Sequence, residues 1–177
     1  GYRNQEGMTA KTSNERMTAL FTMKSEIAKG LMLYLNINAY NNKYNAPNGE
    51  PQSIDGMIGY AVRQGPIYAG QKSDGSFGYQ DNYSPEAWLA SESFVQNVSR
   101  NISASGQLTW NTPVDGLSFI GKVGMNYWTK YDKAYRADTY FDESKTVGPA
   151  TLNVWTANNT YTTFEALATY EKQIKNH

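Results

Sequence analysis

Four aromatic side chains, Tyr79, Tyr83, Trp88 and Trp155, carry the most versatile chemistry in this sequence. Each joins a flat apolar ring to a hydrogen-bonding edge, so each is suited to stack on a sugar ring, grip a peptide or anchor a partner surface. The same rings serve equally well to hold long loops together. Asp138, Asp142 and Glu143 offer oxygens of the kind Ca²⁺ prefers. Their spacing matches no defined calcium loop, and a solvated acidic cluster is the simpler reading. Asn82-Tyr83-Ser84, Asn97-Val98-Ser99 and Asn158-Asn159-Thr160 fit the glycosylation sequon, a pattern short enough to recur by chance.

Covalent catalysis finds little support. With 0 Cys there is no thiolate nucleophile, thiolate metal site or disulfide framework. The 1 histidine, His177, has no evident partner for a triad or a zinc site. Carboxylates are scattered, and no Gly-rich phosphate loop follows a strand. The expectation is a chain that is not an enzyme and needs no cofactor.

The elements that must position the aromatics are long strands. From Ile102 to Tyr131 the sequence alternates: Ile102, Ala104, Gly106, Leu108 and Trp110 fall on one face, and Ser103, Ser105, Gln107, Thr109 and Asn111 on the other. After Pro113-Val114-Asp115-Gly116 the alternation resumes. Leu117, Phe119, Gly121, Val123, Met125 and Tyr127 oppose Ser118, Lys122, Gly124, Asn126 and Lys130. A period of two over this length predicts an antiparallel hairpin with one apolar and one polar face, turned at Asp-Gly. Each arm reads at least about ten residues, against about five or six for ordinary strands.

A similar hairpin precedes it. Met17, Ala19, Phe21, Met23 and Ile27 alternate with Arg16, Thr18, Thr22, Lys24 and Glu26, and Ala28-Lys29-Gly30 turns the chain. Leu31, Leu33, Leu35, Ile37 and Ala39 then alternate with Tyr34, Asn36, Asn38 and Tyr40. Gly1 to Gly7 reads as the tail of a strand, with no start methionine, so the chain is expected to begin within a longer protein. A last strand places Phe164, Ala166, Ala168 and Tyr170 opposite Tyr161, Thr163, Glu165 and Thr169.

Between these elements the connections alternate in length: a short turn at 28–30, an excursion over 41–100, a short turn at 112–116 and an excursion over 132–159. Within the first excursion, Ala46-Pro47-Asn48-Gly49 and Ser73-Asp74-Gly75-Ser76 are turn signals. Ser84-Pro85-Glu86 predicts a short helix, with Ser84 as N-cap and Pro85 at the first helical position. The apolar faces carry no charge, while Arg16, Lys24, Glu26, Lys122, Lys130 and Glu165 occupy the opposite faces.

The 177 residues hold 16 Lys+Arg and 16 Asp+Glu, so no long-range field argues for nucleic acid. No run of about 18 apolar residues makes a transmembrane helix. A transmembrane barrel hides its apolar residues at every second position, and outer-membrane barrels pair short periplasmic turns with long extracellular loops. The expected fold is therefore all-β, an antiparallel barrel segment. The alternative is a soluble carbohydrate-binding β-sandwich, which also alternates but has no reason to keep its long loops at one end. Trp110, Phe119, Tyr127, Tyr131 and Tyr170, near strand ends on the apolar side, would form an interfacial girdle in the first case and core aromatics in the second.

Several short stretches, in this order, resemble the early barrel of SusC/RagA-type TonB-dependent transporters. They are Gly1-Tyr2-Arg3-Asn4-Gln5-Glu6-Gly7, Asn14-Glu15-Arg16 opening a strand, Ala28-Lys29-Gly30-Leu31, Ser73 to Tyr79, Pro113 to Phe119, and Lys175-Asn176-His177. The resemblance implies an outer-membrane barrel of about 22 strands with a plugged lumen, of which residues 1–177 would supply five to six strands, with no plug domain, TonB box or closing strand. It implies import of oligosaccharides or peptides, energy passed from TonB, a surrounding lipid bilayer and a SusD-like surface lipoprotein acting as a lid. Tyr79, Tyr83, Trp88 and Trp155 would then lie in extracellular loops as ligand or lid contacts, with no metal involved.

Overall fold

A computed structural model describes residues 1–48, 54–68 and 70–172. Its centre is one antiparallel sheet of six strands: β1 (Tyr2–Glu6), β2 (Ser13–Ala28), β3 (Leu31–Pro47), β4 (Phe94–Asn111), β5 (Leu117–Arg136) and β8 (Thr151–Tyr170). They pair in the order β1-β2-β3-β4-β5-β8, each with its sequence neighbour in the sheet. The sheet is open, with β1 and β8 at its edges. β5 and β8 each run 20 residues, several times the length of an ordinary strand.

Two tight turns close one end. Gly30 (φ 75°) and Gly116 (φ 81°) adopt the left-handed backbone that favours glycine. Both turns are also pinned to the next strand. Asn111 N–H donates to Gly30 O at 2.8 Å, and Glu171 N–H donates to Gly116 O at 2.8 Å. A side chain at Gly30 would meet the Asn111 carbonyl, and one at Gly116 the Glu171 carbonyl. The sequence at each turn is thus fixed by conformation and by contact.

Register assigns every residue to a face, because directly opposed residues point the same way. Rows on the apolar face run Leu31–Trp110–Phe119–Ala168, Leu33–Leu108–Gly121–Ala166, Leu35–Gly106–Val123–Phe164, Ile37–Ala104–Met125–Thr162 and Ala39–Ile102–Tyr127–Thr160. On β2 the same face continues through Ala19, Phe21, Met23 and Ser25. Those rows hold no charge. A β-bulge between Glu26 and Ala28 interrupts the ladder at Ile27. The polar face carries Lys24–Tyr34–Gln107–Lys122–Glu165 as a single row across five strands.

The apolar face is bare. Ile37 is 41 % exposed, Ile102 45 % and Val123 45 %, and the described residues form no second sheet over them. Among the described residues, the buried hydrophobic ones are Ala46, Met57, Ala87, Trp88 and Phe141. All belong to the end opposite the tight turns. The sheet is therefore held by its ladders, and the packed core sits elsewhere.

The strands run further than their alternation shows. β3 continues to Pro47 and β4 starts at Phe94, so Asn41–Pro47 pairs with Phe94–Arg100 within what reads as an excursion over 41–100. Likewise β5 reaches Arg136 and β8 starts at Thr151, shortening the excursion over 132–159. Asn41, Asn42, Lys43, Tyr44 and Asn45 are polar on both faces, so no period of two marks them. Extension of the ladder from the apolar rows carries them into the sheet.

What remains of the two excursions folds into one cap. The first supplies helix α1 (Ile54–Arg63) and helix α2 (Pro85–Ala90), the second the small strands β6 (Thr139–Asp142) and β7 (Lys145–Val147). α2 follows its sequence signals: Ser84 Oγ accepts from Ala87 N–H at 3.4 Å, with Pro85 opening the helix. Phe77 N–H donates to Phe141 O at 2.7 Å, Asn48 Nδ2 to Tyr135 O at 2.9 Å, and Ala137 N–H to Ser93 Oγ at 2.9 Å. Two loops far apart in sequence thus share one core over the ends of β3, β4 and β5. Gly49, in the first turn signal, and Lys175-Asn176-His177 lie outside the described residues.

Candidate functional site

Three of the four aromatic candidates meet in the cap. Trp88 is 2 % exposed and packs with Met57, Ala87 and the fully buried Phe141. Tyr83 meets Trp88 edge-on at 5.7 Å between ring centroids, and Tyr79 stacks on Phe141 at 5.2 Å. Trp88 therefore has no ring face to offer a ligand, and its work is to hold the cap together. Trp155 lies apart. It is 52 % exposed, opposite Asp132 on the polar face of the sheet, with Lys130 Nζ 5.2 Å above its ring. Lys130 also pairs with Asp132 at 3.0 Å.

One side of the cap opens into a cleft of about 270 Å³, lined by Tyr60, Arg63, Gln64, Gln80, Asp81, Tyr83 and Pro85. α1 delivers Tyr60, Arg63 and Gln64. A tight loop delivers Gln80, Asp81 and Tyr83, and α2 delivers Pro85: Gln80 N–H donates to Tyr83 O at 3.0 Å, Tyr83 N–H donates back to Gln80 O at 2.9 Å, and Asp81 takes a left-handed φ of 56°. Asp tolerates that region better than most residues. Tyr60 and Tyr83 stack at 3.8 Å, making an aromatic wall. Gln64 Nε2 is buried without a hydrogen-bond partner, and Arg63 and Asp81 form no ion pair among the described residues. An orphaned donor, an unpaired cation and an unpaired anion beside an aromatic wall suit a polar ligand of about one ring in size.

The sequence signal for α1 was weak. Met57, Tyr60 and Gln64 fall at i, i+3 and i+7, a helical spacing, but Gly56 and Gly59 lower the propensity of that stretch. Hence Tyr60, Arg63 and Gln64 do not stand out in sequence.

Two acidic residues, Asp74 and Asp142, have local roles. Asp74 accepts from Ser76 Oγ at 2.7 Å and Ser76 N–H at 2.9 Å, and the Ser76 hydroxyl is the main cause holding its carboxyl below the usual value. Asp142 accepts from Ser144 Oγ at 2.8 Å and Ser144 N–H at 3.0 Å. The Ser144 hydroxyl lowers its pKa most, partial desolvation opposes that, and Lys72 at 3.9 Å adds a small pull downward. Among the described residues, no three His, Cys, Asp or Glu side chains are grouped to hold a metal ion.

A second depression, about 510 Å³, lies mainly on the polar face, lined by Thr22, Lys24, Tyr34, Asn36, Ser105, Gln107, Lys122 and Glu165 among others. Its charges are accommodated locally: Lys122 pairs with Glu165 at 3.1 Å, and Lys24 Nζ sits 5.2 Å above the Tyr34 ring. No protein-family model matches the chain, and no curated protein matches it either.

Proposed function

We propose that the chain is a wall section of an outer-membrane active transporter of the SusC/RagA TonB-dependent type. One observation carries this reading. The sheet holds a charge-free apolar band nine residues high, Leu31 to Ala39 on β3, on one face only, with both tight turns below it and both long connections above. A tilted transmembrane strand needs about 9–11 residues, and an outer-membrane barrel shows an outward apolar band about 25 Å tall. Aromatics mark both limits of the band. Trp110 and Phe119 stack at 5.9 Å in its lowest row, and Tyr127 lies in its highest. Lipid explains why Val123 and Ile102 are bare, and neighbouring barrel strands explain the open edges at β1 and β8.

On this reading the polar face lines the lumen and the cap stands outside the cell. Its cleft, with Tyr60 and Tyr83, meets the incoming oligosaccharide or peptide, beneath a SusD-like lipoprotein. TonB would supply energy through other parts of the barrel protein. A soluble sugar-binding sandwich would need a second sheet over the apolar face, and nothing among the described residues supplies one.

Fractionation tests the proposal. The intact protein should sediment with outer membranes, resist alkaline carbonate extraction and migrate differently on gels before and after boiling. Release by carbonate as a soluble monomer would overturn it.

A further inference from the structure

Arg100 breaks the apolar face. One row beyond Ala39–Ile102–Tyr127, the same face carries Asn41–Arg100–Thr129, then Lys43–Val98–Tyr131, then Asn45–Gln96–Lys133. Three cations thus appear on three adjacent strands in three successive rows. They are the first cations on that face beyond the uncharged band. Lys43 and Arg100 are diagonal neighbours, with Cα atoms roughly 7–8 Å apart. At the turn end, the row Leu31–Trp110–Phe119–Ala168 holds no cation.

We propose that Lys43, Arg100 and Lys133 bind the phosphate groups of the glycolipid that forms the outer leaflet, the lipopolysaccharide. The inference rests on the barrel reading and adds a lipid partner to it. The faces differ in ion pairing: on the polar face Lys122 pairs with Glu165 and Lys130 with Asp132, while Lys24 and Arg16, like Lys133, lie over aromatic rings. None of the three outward cations pairs with an anion among the described residues. Arg100 Nε donates to Asn41 Oδ1 at 3.1 Å, and Lys133 Nζ lies 5.3 Å from the Phe94 ring centroid. Glu15 faces Lys43 from β2 without pairing to it, and Glu6 lies further out on β1. The patch therefore centres on β3, β4 and β5.

Depth matches the ligand. A strand rises about 3.4 Å per residue and tilts about 40° in a barrel, so Arg100 stands roughly 5 Å above the last apolar row and Lys43 roughly 10 Å. That is the level of headgroup phosphates, with Lys133 reaching further out toward the glycolipid core. The Arg100 guanidinium can fork two phosphate oxygens, while Lys43 and Lys133 act as point charges on flexible stems. The half-exposed Tyr127 and Tyr131 flank the patch on the same face. Within the ladder the cations of this face stand at the loop border alone, Lys29 and Lys172 lying outside the paired rows in the turn and after β8, and that asymmetry fits a bilayer whose anionic glycolipid occupies one leaflet.

The test uses the intact protein purified in mild detergent, with native mass spectrometry against purified lipopolysaccharide, its enzymatically dephosphorylated form and phosphatidylglycerol. The variants are Lys43→Gln/Arg100→Gln/Lys133→Gln and, as control, Lys122→Gln/Lys130→Gln. The expected result is at least tenfold weaker lipopolysaccharide binding for the first variant and for dephosphorylated glycolipid, with the control unchanged. Equal binding by both variants, while the protein stays heat-modifiable and membrane-embedded, overturns the patch and leaves the barrel standing. Phosphatidylglycerol binding as tight as lipopolysaccharide binding overturns the choice of glycolipid. A protein that is soluble without detergent overturns both readings.

Discussion

Lys122 and Glu165 face each other across β5 and β8 and close a 3.1 Å ion pair on the polar side of the sheet. One residue along, Val123 and Phe164 face each other on the other side, 45 % and 79 % exposed. A single step along the strand thus separates a hydrated ion pair from a bare apolar pair, and that contrast sets the sharpest test of the barrel reading.

Val123→Arg should cost about 2–4 kcal/mol of stability in a bilayer, as expected for a cation on a lipid-facing strand near the midplane. Lys122→Met should cost at most about 1 kcal/mol, because exposed ion pairs contribute little. Leu at Gly121 and at Val123 should be nearly neutral, since a Cβ at Gly121 meets nothing within 4 Å. Gly124→Leu is the positive control for crowding: its Cβ would stand 2.6 Å from Thr163 Oγ1. Equilibrium unfolding of the intact protein in vesicles measures all of these variants. If Leu at Gly121 and Val123 destabilises as strongly as Arg, that face packs against protein.

The second prediction concerns sidedness. A cysteine at the exposed Ser73 should react with an impermeant maleimide on whole cells, and a cysteine at Asp115 should not until the outer membrane is opened. Ser76 is unsuitable as a reporter, being only 6 % exposed and bonded to Asp74. The opposite labelling pattern would invert the topology.

Legibility in the sequence followed where burial or exposure differs between faces. Ile102 to Tyr127 alternates because its two sides meet different surroundings, so both hairpins and the charge-free face were readable. Asn41 to Asn45 lies beyond the apolar band, where both faces are polar, and its pairing with Gln96 to Arg100 left no periodic trace. The cap was hidden for another reason: Phe77 and Phe141 meet across 64 positions of chain, and local propensity carries no information about such a contact. The cleft depended on α1, whose glycines masked its helical spacing. Ser84 and Pro85 marked α2 because capping is a local interaction.

Asp74 and Asp142 supply the pH prediction. Both carboxyls are held below 3.8 by hydrogen bonds, chiefly from the Ser76 and Ser144 hydroxyls. A folded pKa below the unfolded one means that the stabilisation is fully present above the unfolded value. It is lost as pH falls through the folded one, below 3.8. Carboxyl carbon shifts followed by NMR should give midpoints below the ordinary aspartate value for both. Ser76→Ala should raise the Asp74 midpoint and leave Asp142 in place. Ordinary midpoints in the unsubstituted protein would show that these loop bonds do not form in solution.

The final prediction separates cap from sheet. Trp88 is buried against Met57, Ala87 and Phe141 and braced edge-on by Tyr83, so truncating it removes the largest side chain of the only packed hydrophobic cluster among the described residues. Trp88→Ala should destabilise the cap by about 3–5 kcal/mol, the usual range for a buried aromatic reduced to alanine. The sheet should be unaffected, because its ladders from Leu31 to Ala39 share no side-chain core with the cap. Limited proteolysis should then cut between 54 and 93 in the variant while heat-modifiability on gels is retained. Hydrogen exchange should rise at Phe77, which donates to Phe141 O, and stay slow at Val123. Phe141→Ala should reproduce the same pattern from the other connection, since each loop depends on the other for its core. If cleavage spreads into β4 and β5 together with the cap, the two bodies unfold as one unit, and the ladder alone does not hold the sheet.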